Sequence, residues 1–341
     1  MTNNQPNKGG AFAGVFTPSI LTILGVIMYM RLGWVVGQSG LLIAIGIILL
    51  SHVISVTTGL SISSIATDKK IKTGGIYYML SRSLGLPMGG SIGITIFVGT
   101  AFSIALYIIG FCENFLGIEA ISNFLGMEPS INNFRILGSV VVVILVIIAF
   151  ISTSIAIKTQ FIILTAIVLS LISVFIGFFS GDHSPESGIV WMPFKDGVSM
   201  ITVFAIFFPA VTGFTAGVAM SGDLKNPRKD IPFGTLAAIV VGLIVYVTLT
   251  IFIALKVDRL ILISDNNFLM HIAWSGPLVV AGIWGATLSS ALGGILGGPR
   301  ILQAISKDKI TPKILAKGYG INNEPRNALI ITFMIAEAGI L

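Results

Sequence analysis

Apolar runs of about 20 residues recur along the chain, separated by short polar or Gly/Pro-rich joints. A run of that length crosses a hydrocarbon core of about 30 Å as a single α-helix. The runs predict spans near Ala11 to Val36, Leu41 to Ala66, Gly89 to Leu116, Arg135 to Ile157, Thr159 to Phe179, Gly197 to Met220, Pro232 to Leu255 and Pro277 to Ala304. A ninth starts near Arg326 and is cut off at Leu341. The stretch Gly74 to Ser83 is short, amphipathic and led by glycines, which predicts an interfacial or re-entrant helix instead of a span. Residues 1–10 read as a short N-terminal tail, and 11–341 as one transmembrane domain of about eight full spans plus the start of a ninth.

Two of these runs are interrupted. In the sixth, Phe207-Phe208-Pro209-Ala210-Val211-Thr212-Gly213-Phe214 places a proline-to-glycine break inside the span, and the polar run from Ser221 through Gly222 and Asp223 to Asp230 follows it. In the first, Leu21-Thr22-Ile23-Leu24-Gly25-Val26 is a candidate break about half-way across. A helix facing lipid cannot leave backbone groups unpaired, so a true break must face protein or line a cavity. The two lie at corresponding positions five spans apart, as two repeats of inverted topology would place them. For the first span alone a kink or a close-packing glycine is the simpler reading. In the sixth, the Pro-x-x-Thr-Gly spacing with a hydroxyl at the break favours an interruption. The first half of a broken helix ends on unpaired carbonyls, and the second half begins with unpaired amides. Carbonyls suit cations and amides suit anions. With no carboxylate beside either break, cations and small anions are expected together, each offsetting the other's charge.

Composition agrees with the pattern: 55% of residues are hydrophobic, 10% are charged, and the mean hydropathy is +0.99. The net charge of +6 is no mark of nucleic-acid binding, because the basic residues sit between spans. With the N-terminus inside, 15 of the 20 basic residues fall on the cytoplasmic side, among them Lys8, Lys69, Lys70, Lys72, Lys158 and Lys225. A multi-pass protein of the cell membrane with a cytoplasmic N-terminus is expected. The first apolar run is too long to be a cleaved signal. Cys112 is the single cysteine, so intrachain disulfides and multi-cysteine metal sites are excluded.

Three further groups of residues carry candidate chemistry. Span 8 contains Gly285-Ala286-Thr287-Leu288-Ser289-Ser290-Ala291. Taken alone it reads as a small-residue packing face whose serines bond back one turn. The functional alternative is a compact oxygen site for sodium built from both serines and the Ala286 carbonyl, completed by carbonyls of the first break. Arg31 and Glu113 are ionisable residues inside apolar runs, at similar depth toward the outside, and could pair as an outer gate. His52, His183 and His271 have no metal-ligand spacing, and each is expected to be satisfied locally. No nucleophile elbow, P-loop or haem motif is present, and no enzymatic role is expected.

Ile23 to Gly37, Gly74 to Gly85, Phe204 to Asp223 and Ala286 to Leu302 together resemble the cation-chloride cotransporters of the amino acid-polyamine-organocation superfamily. The resemblance runs from about Gly14 to the end of the chain. It implies an all-α polytopic fold of five-plus-five inverted repeats with helices 1 and 6 broken, here truncated in the ninth span. It implies a potassium site from the carbonyls of Thr22, Ile23 and Pro209 and the hydroxyls of Tyr107 and Thr212. One chloride would sit on the amides of Gly25, Val26 and Ile27, and a second on those of Gly213, Phe214 and Thr215. The serine pair in span 8 is similar to the sodium-coupled branch, in which Leu21, Leu24, Ala286, Ser289 and Ser290 would hold sodium. Arg31 and Glu113 match that family's extracellular gate. The implied activity is electroneutral Na-K-2Cl symport.

The alternatives are a potassium-chloride symporter without sodium coupling and an amino-acid permease of the same superfamily. An amino-acid carboxylate usually meets a small Gly-x-Gly-like opening, whereas Leu24-Gly25-Val26-Ile27 leaves bulky residues there. The short tail and short outer loops suggest a prokaryotic-like member. The family's tenth span, with a tyrosine for the second chloride, lies beyond Leu341. Inorganic ions and the lipid bilayer are the expected partners, with homodimerisation left open and no nucleic acid. No cofactor is expected besides the transported Na+, K+ and Cl−.

Overall fold

The computed structural model describes residues 9–68, 75–151, 153–180, 185, 188–219, 224–320 and 323–341, without the side chains of 151 and 153–158. Lys8, Lys69, Lys70, Lys72, Gly74, His183, Met220 and the Ser221-Gly222-Asp223 run lie outside the described residues, as does the side chain of Lys158. Among the described residues the regular structure is helical throughout.

The first crossing opens with a π-helical turn, Phe12–Phe16, and continues without a break as α1, Thr17–Ile23, with Pro18, which has no N–H to give the preceding turn, just after the junction. After two non-helical residues comes α2, Val26–Met30, then α3, Leu32–Asp68. α3 is itself divided at Gly40, whose φ of 70° and ψ of 167° lie outside the helical region. A side chain there would also stand 2.5 Å from the Met192 carbonyl oxygen, so only glycine fits. The chain reverses at this point: Gly242 packs against both Ile23, before the turn, and His52, after it. Leu32 to Gly40 therefore completes the first span and Leu41 to Asp68 forms the second, close to the expected boundaries.

α4, Gly75–Ser83, is the short amphipathic helix anticipated before span 3. Span 3 is α5, Leu86–Leu116; a short helix, α6, Glu119–Leu125, leads to α7, Ile131–Ile151, and α8, Thr153–Ser180. The apolar span candidates on either side of the expected joint are Ile131–Phe150 and Thr159–Ser180, and residue 152 lies outside the described residues. The sixth crossing is α9, Met200–Phe207, a 3-10 turn, Phe208–Val211, and α10, Thr215–Ala219. Then follow α11, Pro227–Lys256, two short helices, α12, Arg259–Ser264, and α13, Phe268–Ile272, the long α14, Gly276–Lys307, and α15, Arg326–Ile340.

Among the described residues, seven helical stretches are long and apolar enough to cross a membrane. The expected eight differ because the sixth crossing is cut by its break: only Met200–Val211 runs continuously. The broken first span is the most enclosed. Of its apolar window 72% is buried by protein, against 22% for α7. The outer helices turn Leu42, Leu50, Val53, Ile144, Ile162, Phe233 and Ile244 outward, as a lipid-facing surface requires. α3 packs along α11, and α14 lies between α5 and α8, so these long helices cage the two broken ones.

At one end of the bundle Asp308, at the C-terminus of α14, anchors α4. It accepts from Arg82 at 2.8 Å and from the Tyr77 hydroxyl at 2.7 Å. The hydrogen bond to Asp308 holds the Arg82 guanidinium above its ordinary range. Burial and Asp308 push the Tyr77 hydroxyl up to about 12. A raised folded-state value stabilises below the unfolded value of 10.0, and the contribution is lost only as pH climbs toward 12. The anchor is thus constant through the physiological range. Asp308→Asn should lower stability by about 1 kcal/mol, since the pair is partly exposed. Melting of the purified protein checks this; an unchanged midpoint would show that α4 is held by apolar packing alone.

Candidate functional site

The first break is an interruption and not a kink. Leu24 (φ −84°, ψ 45°) and Gly25 (φ −96°, ψ −154°) both leave the helical region. The Leu24 amide still donates to Ile20 at 2.8 Å, and no later amide continues the ladder until Met28 donates to Gly25 at 3.1 Å. Hence the amides of Gly25, Val26 and Ile27 have no acceptor among the described residues, and the carbonyls of Leu21, Thr22 and Leu24 have no donor. Beyond Ile27 the helix runs on: Arg31 donates to Ile27 at 3.0 Å and accepts from Val35 at 2.9 Å. The three amides therefore head a helix that reaches Gly40, with its positive dipole end at the break.

The second break is built differently. After the 3-10 turn, Thr212 donates through its hydroxyl to the Pro209 carbonyl at 2.8 Å. Two of the expected potassium ligands are thereby already side by side. The amides of Gly213 and Phe214 have no acceptor among the described residues, whereas the Thr215 amide keeps a long 3.4 Å bond to Thr212. Two of the three expected second-chloride amides are plainly open.

The two breaks touch. The Thr22 hydroxyl lies 2.7 Å from the Gly213 carbonyl oxygen, with the Ser19 and Pro18 carbonyls at 2.8 and 3.1 Å. A Cβ on Gly213 would come within 2.6 Å of the Thr22 hydroxyl oxygen and 2.7 Å of its Cβ, so glycine is what permits the contact. Ser19 donates to the Phe214 carbonyl at 2.9 Å. From outside the pair, Ser55 of α3 donates to Val211 at 2.9 Å, and Tyr246 of α11 donates to Ile23 at 2.7 Å. Phe207 and His52 pack against the Tyr246 ring, at centroid distances of 5.3 and 6.1 Å. The Ile23 carbonyl, an expected potassium ligand, thus already serves one donor and has its second lone pair remaining.

The remaining expected residues are distributed around this centre. Tyr107 of α5 packs against two apolar clusters, one of which contains the residues of the first break, and its hydroxyl has no hydrogen-bond partner among the described residues. One turn further along α5, the side chain of Val26 is pressed against Gly110. In α14, which packs on α1, Ser289 bonds back to the Ala286 carbonyl at 3.2 Å, as a packing serine does. Ser290 behaves otherwise: it is 3% exposed and its hydroxyl has no partner among the described residues. Arg31 and Glu113 meet, with both carboxylate oxygens 2.6 and 2.8 Å from one guanidinium nitrogen. His52 bonds to the Ile48 carbonyl through Nδ1 at 2.8 Å, while its buried Nε2 has no partner among the described residues. His271 stands 3.8 Å from Asp265, exposed and remote from the breaks. Among the described residues no three of His, Cys, Asp and Glu gather as a metal site.

Four residues escaped the sequence reading. Ser19, Ser55 and Tyr246 were legible only as isolated polar residues in apolar runs. Glu337 is an acid within the ninth run; it accepts from Ser139 at 2.5 Å, and its other oxygen is buried without a partner among the described residues.

Residues 14–341 match the family described as amino acid permease. The chain is 36% identical over 386 aligned residues to solute carrier family 12 member 1 of Mus musculus, covering 98% of this chain and 35% of that protein. It is 36% identical over 385 aligned residues to solute carrier family 12 member 2 of Homo sapiens, covering 98% and 32% respectively. The chain spans about a third of the length of the curated relatives it matches.

Gly213→Ala should force the breaks apart at a cost of about 1–3 kcal/mol, and Tyr246→Phe should cost about 1 kcal/mol by leaving the Ile23 carbonyl without its donor. Thermal melting in detergent reads both. Equal melting of Gly213→Ala and the unsubstituted protein would contradict the contact.

Proposed function

We propose, from the premise that the chain belongs to the cation-chloride cotransporters within the amino acid permease superfamily, that it is a symporter moving chloride together with potassium and sodium. The observation that carries this is the contact of two broken helices, both with amides and the first also with carbonyls that have no partner among the described residues, and with no carboxylate at either. Such a centre has partial charges of both signs, so a lone ion of either sign leaves half of it unused.

Potassium would take the carbonyls of Thr22, Ile23 and Pro209 with the hydroxyls of Tyr107 and Thr212. One chloride would take the amides of Gly25, Val26 and Ile27. The second would take those of Gly213 and Phe214, with Thr215 joining if its long bond to Thr212 gives way. Sodium would take the Ala286, Leu21 and Leu24 carbonyls with Ser289 and Ser290. The support for sodium is Ser290: a buried hydroxyl with no partner is costly unless something occupies it. Two cations with two chlorides carry no net charge, so transport would be electroneutral. Arg31 and Glu113 would close the outer side when paired, and the N-terminus would lie in the cytoplasm of a cell-membrane protein.

An amino-acid substrate fits less well. Val26 and Ile27 are 4% and 6% exposed, and Val26 packs against Gly110, so bulky buried side chains accompany the first set of amides.

Rubidium uptake into proteoliposomes tests the assignment. Uptake should require both chloride and sodium and should be indifferent to an amino-acid mixture. Ser290→Ala should raise the sodium concentration for half-maximal uptake by about tenfold, the loss of roughly 1.4 kcal/mol of ligation. Chloride-dependent uptake that persists without sodium would remove sodium from the cargo, and competition by amino acids would remove the ion reading.

A further inference from the structure

The loop between α11 and α14 touches both helical segments that carry the Arg31–Glu113 pair, through two adjacent residues. Asn267 reaches α5: its side-chain oxygen accepts from Asn114 Nδ2 at 2.8 Å, and Asn114 is the neighbour of Glu113. A Cβ on Gly117 would come within 2.5 Å of Asn267 Nδ2, so a glycine permits that approach. Phe268 reaches the start of α3: a Cβ on Gly33 would come within 2.3 Å of its ring, and Gly33 is two residues past Arg31. The Asn267-Phe268 unit therefore joins α5 to α3 beside both members of the ion pair.

The bond to Asn114 takes precedence over a helix cap. Asn267 is the N-cap residue of α13, where an Asn side chain ordinarily accepts from an amide in the first turn, yet it makes no cap bond. Its oxygen is taken by Asn114 instead. Asn114 is fully buried, and its own oxygen accepts from Trp284 Nε1 at 2.9 Å, which leaves Nδ2 facing Asn267. Phe268 is 1% exposed. The loop is also pinned on either side of this unit. Before it, Leu262 and Ile263 of α12 lie against Gly37 of α3. After it, the amides of Trp274 and Ser275 donate to the carbonyl and hydroxyl of Ser173 in α8, at 3.0 and 2.8 Å. A loop held at both ends cannot follow α5 and α3 if they part.

We infer that Asn267 and Phe268 staple the outer gate shut: outward opening has to release Asn267 from Asn114 or draw Phe268 out from against Gly33. The inference rests on the reading of Arg31 and Glu113 as that gate. Their side chains are 31% and 20% exposed, and an ion pair open to water is a weak lock by itself. The staple adds a hydrogen bond to a fully buried amide and an aromatic ring seated on a glycine. Asn114 is the positioning residue, since Trp284 fixes the group it turns toward the loop.

Hydrogen exchange of the full chain in detergent, free of transported ions, reads the opening. The amides of Gly25, Val26 and Ile27 have no acceptor among the described residues, so access of water limits their exchange. Asn267→Ala and Phe268→Ala should each speed exchange over residues 24–30 by about fivefold, roughly the worth of one hydrogen bond. Glu113→Gln should speed the same stretch, and α4, at the far end of α14, should exchange as before in all three. Asn267→Ala removes a polar contact without emptying a packed site and keeps the test readable if Phe268→Ala fails to fold. Faster exchange in Glu113→Gln with none in Asn267→Ala would overturn the staple and leave the gate standing. Unchanged exchange in Glu113→Gln would overturn the gate and the staple with it. A lowered melting temperature of Asn267→Ala without faster exchange at 24–30, or faster exchange spread equally to α4, would make the loop contact purely structural and overturn the inference.

Discussion

The contact between Thr22 and Gly213 is the point on which the site depends. Two helices are interrupted inside an apolar bundle, and each interruption strips several backbone groups of their partners. In lipid every such group costs several kcal/mol, so an isolated break would not persist. Set against each other, the breaks satisfy part of that demand directly: the Thr22 hydroxyl reaches the Gly213 carbonyl, and Ser19 reaches Phe214. Gly213 makes the approach close enough, because any side chain would collide with Thr22.

The surrounding helices complete a selective repair. Ser55 caps Val211 and Tyr246 caps Ile23, so two further carbonyls are settled by donors from spans 2 and 7. All of these repairs are made to carbonyls. Among the described residues the amides of Gly25 to Ile27 and of Gly213 and Phe214 find no acceptor, and the carbonyls of Leu21, Thr22 and Leu24 find no donor. What stays open is a set of donors and acceptors on one centre, held by helices that do not depend on the open groups for their own integrity. That division would let the proposed ion site form inside the bundle without a charged side chain.

The spans were legible in the sequence because crossing a bilayer is a length requirement, and apolar runs of about 20 residues satisfy it visibly. The break in span 6 was legible too, since Pro209 and Gly213 are local causes. The break in span 1 was ambiguous for the opposite reason. Leu21 to Gly25 contains no proline, and what holds it open is tertiary: Tyr246 on Ile23, 223 residues away, and Gly213 against Thr22, 191 away. Ser289 and Ser290 looked alike in the sequence, and only packing separates them, one bonding back along its helix and one left without a partner. The reversal at Gly40 falls at the expected joint between Val36 and Leu41, whereas the short α6, α12 and α13 were hidden because nothing in the hydrophobic pattern marks them.

If the two breaks form one centre for ions of opposite sign, binding must be reciprocal: each ion raises the affinity for the other. The direct measurement is the melting temperature of the purified protein titrated with chloride, with and without potassium, at constant ionic strength. The account predicts that potassium lowers the chloride concentration for half-maximal stabilisation several-fold, and that chloride does the same for potassium. Chloride stabilisation that is independent of potassium would contradict it.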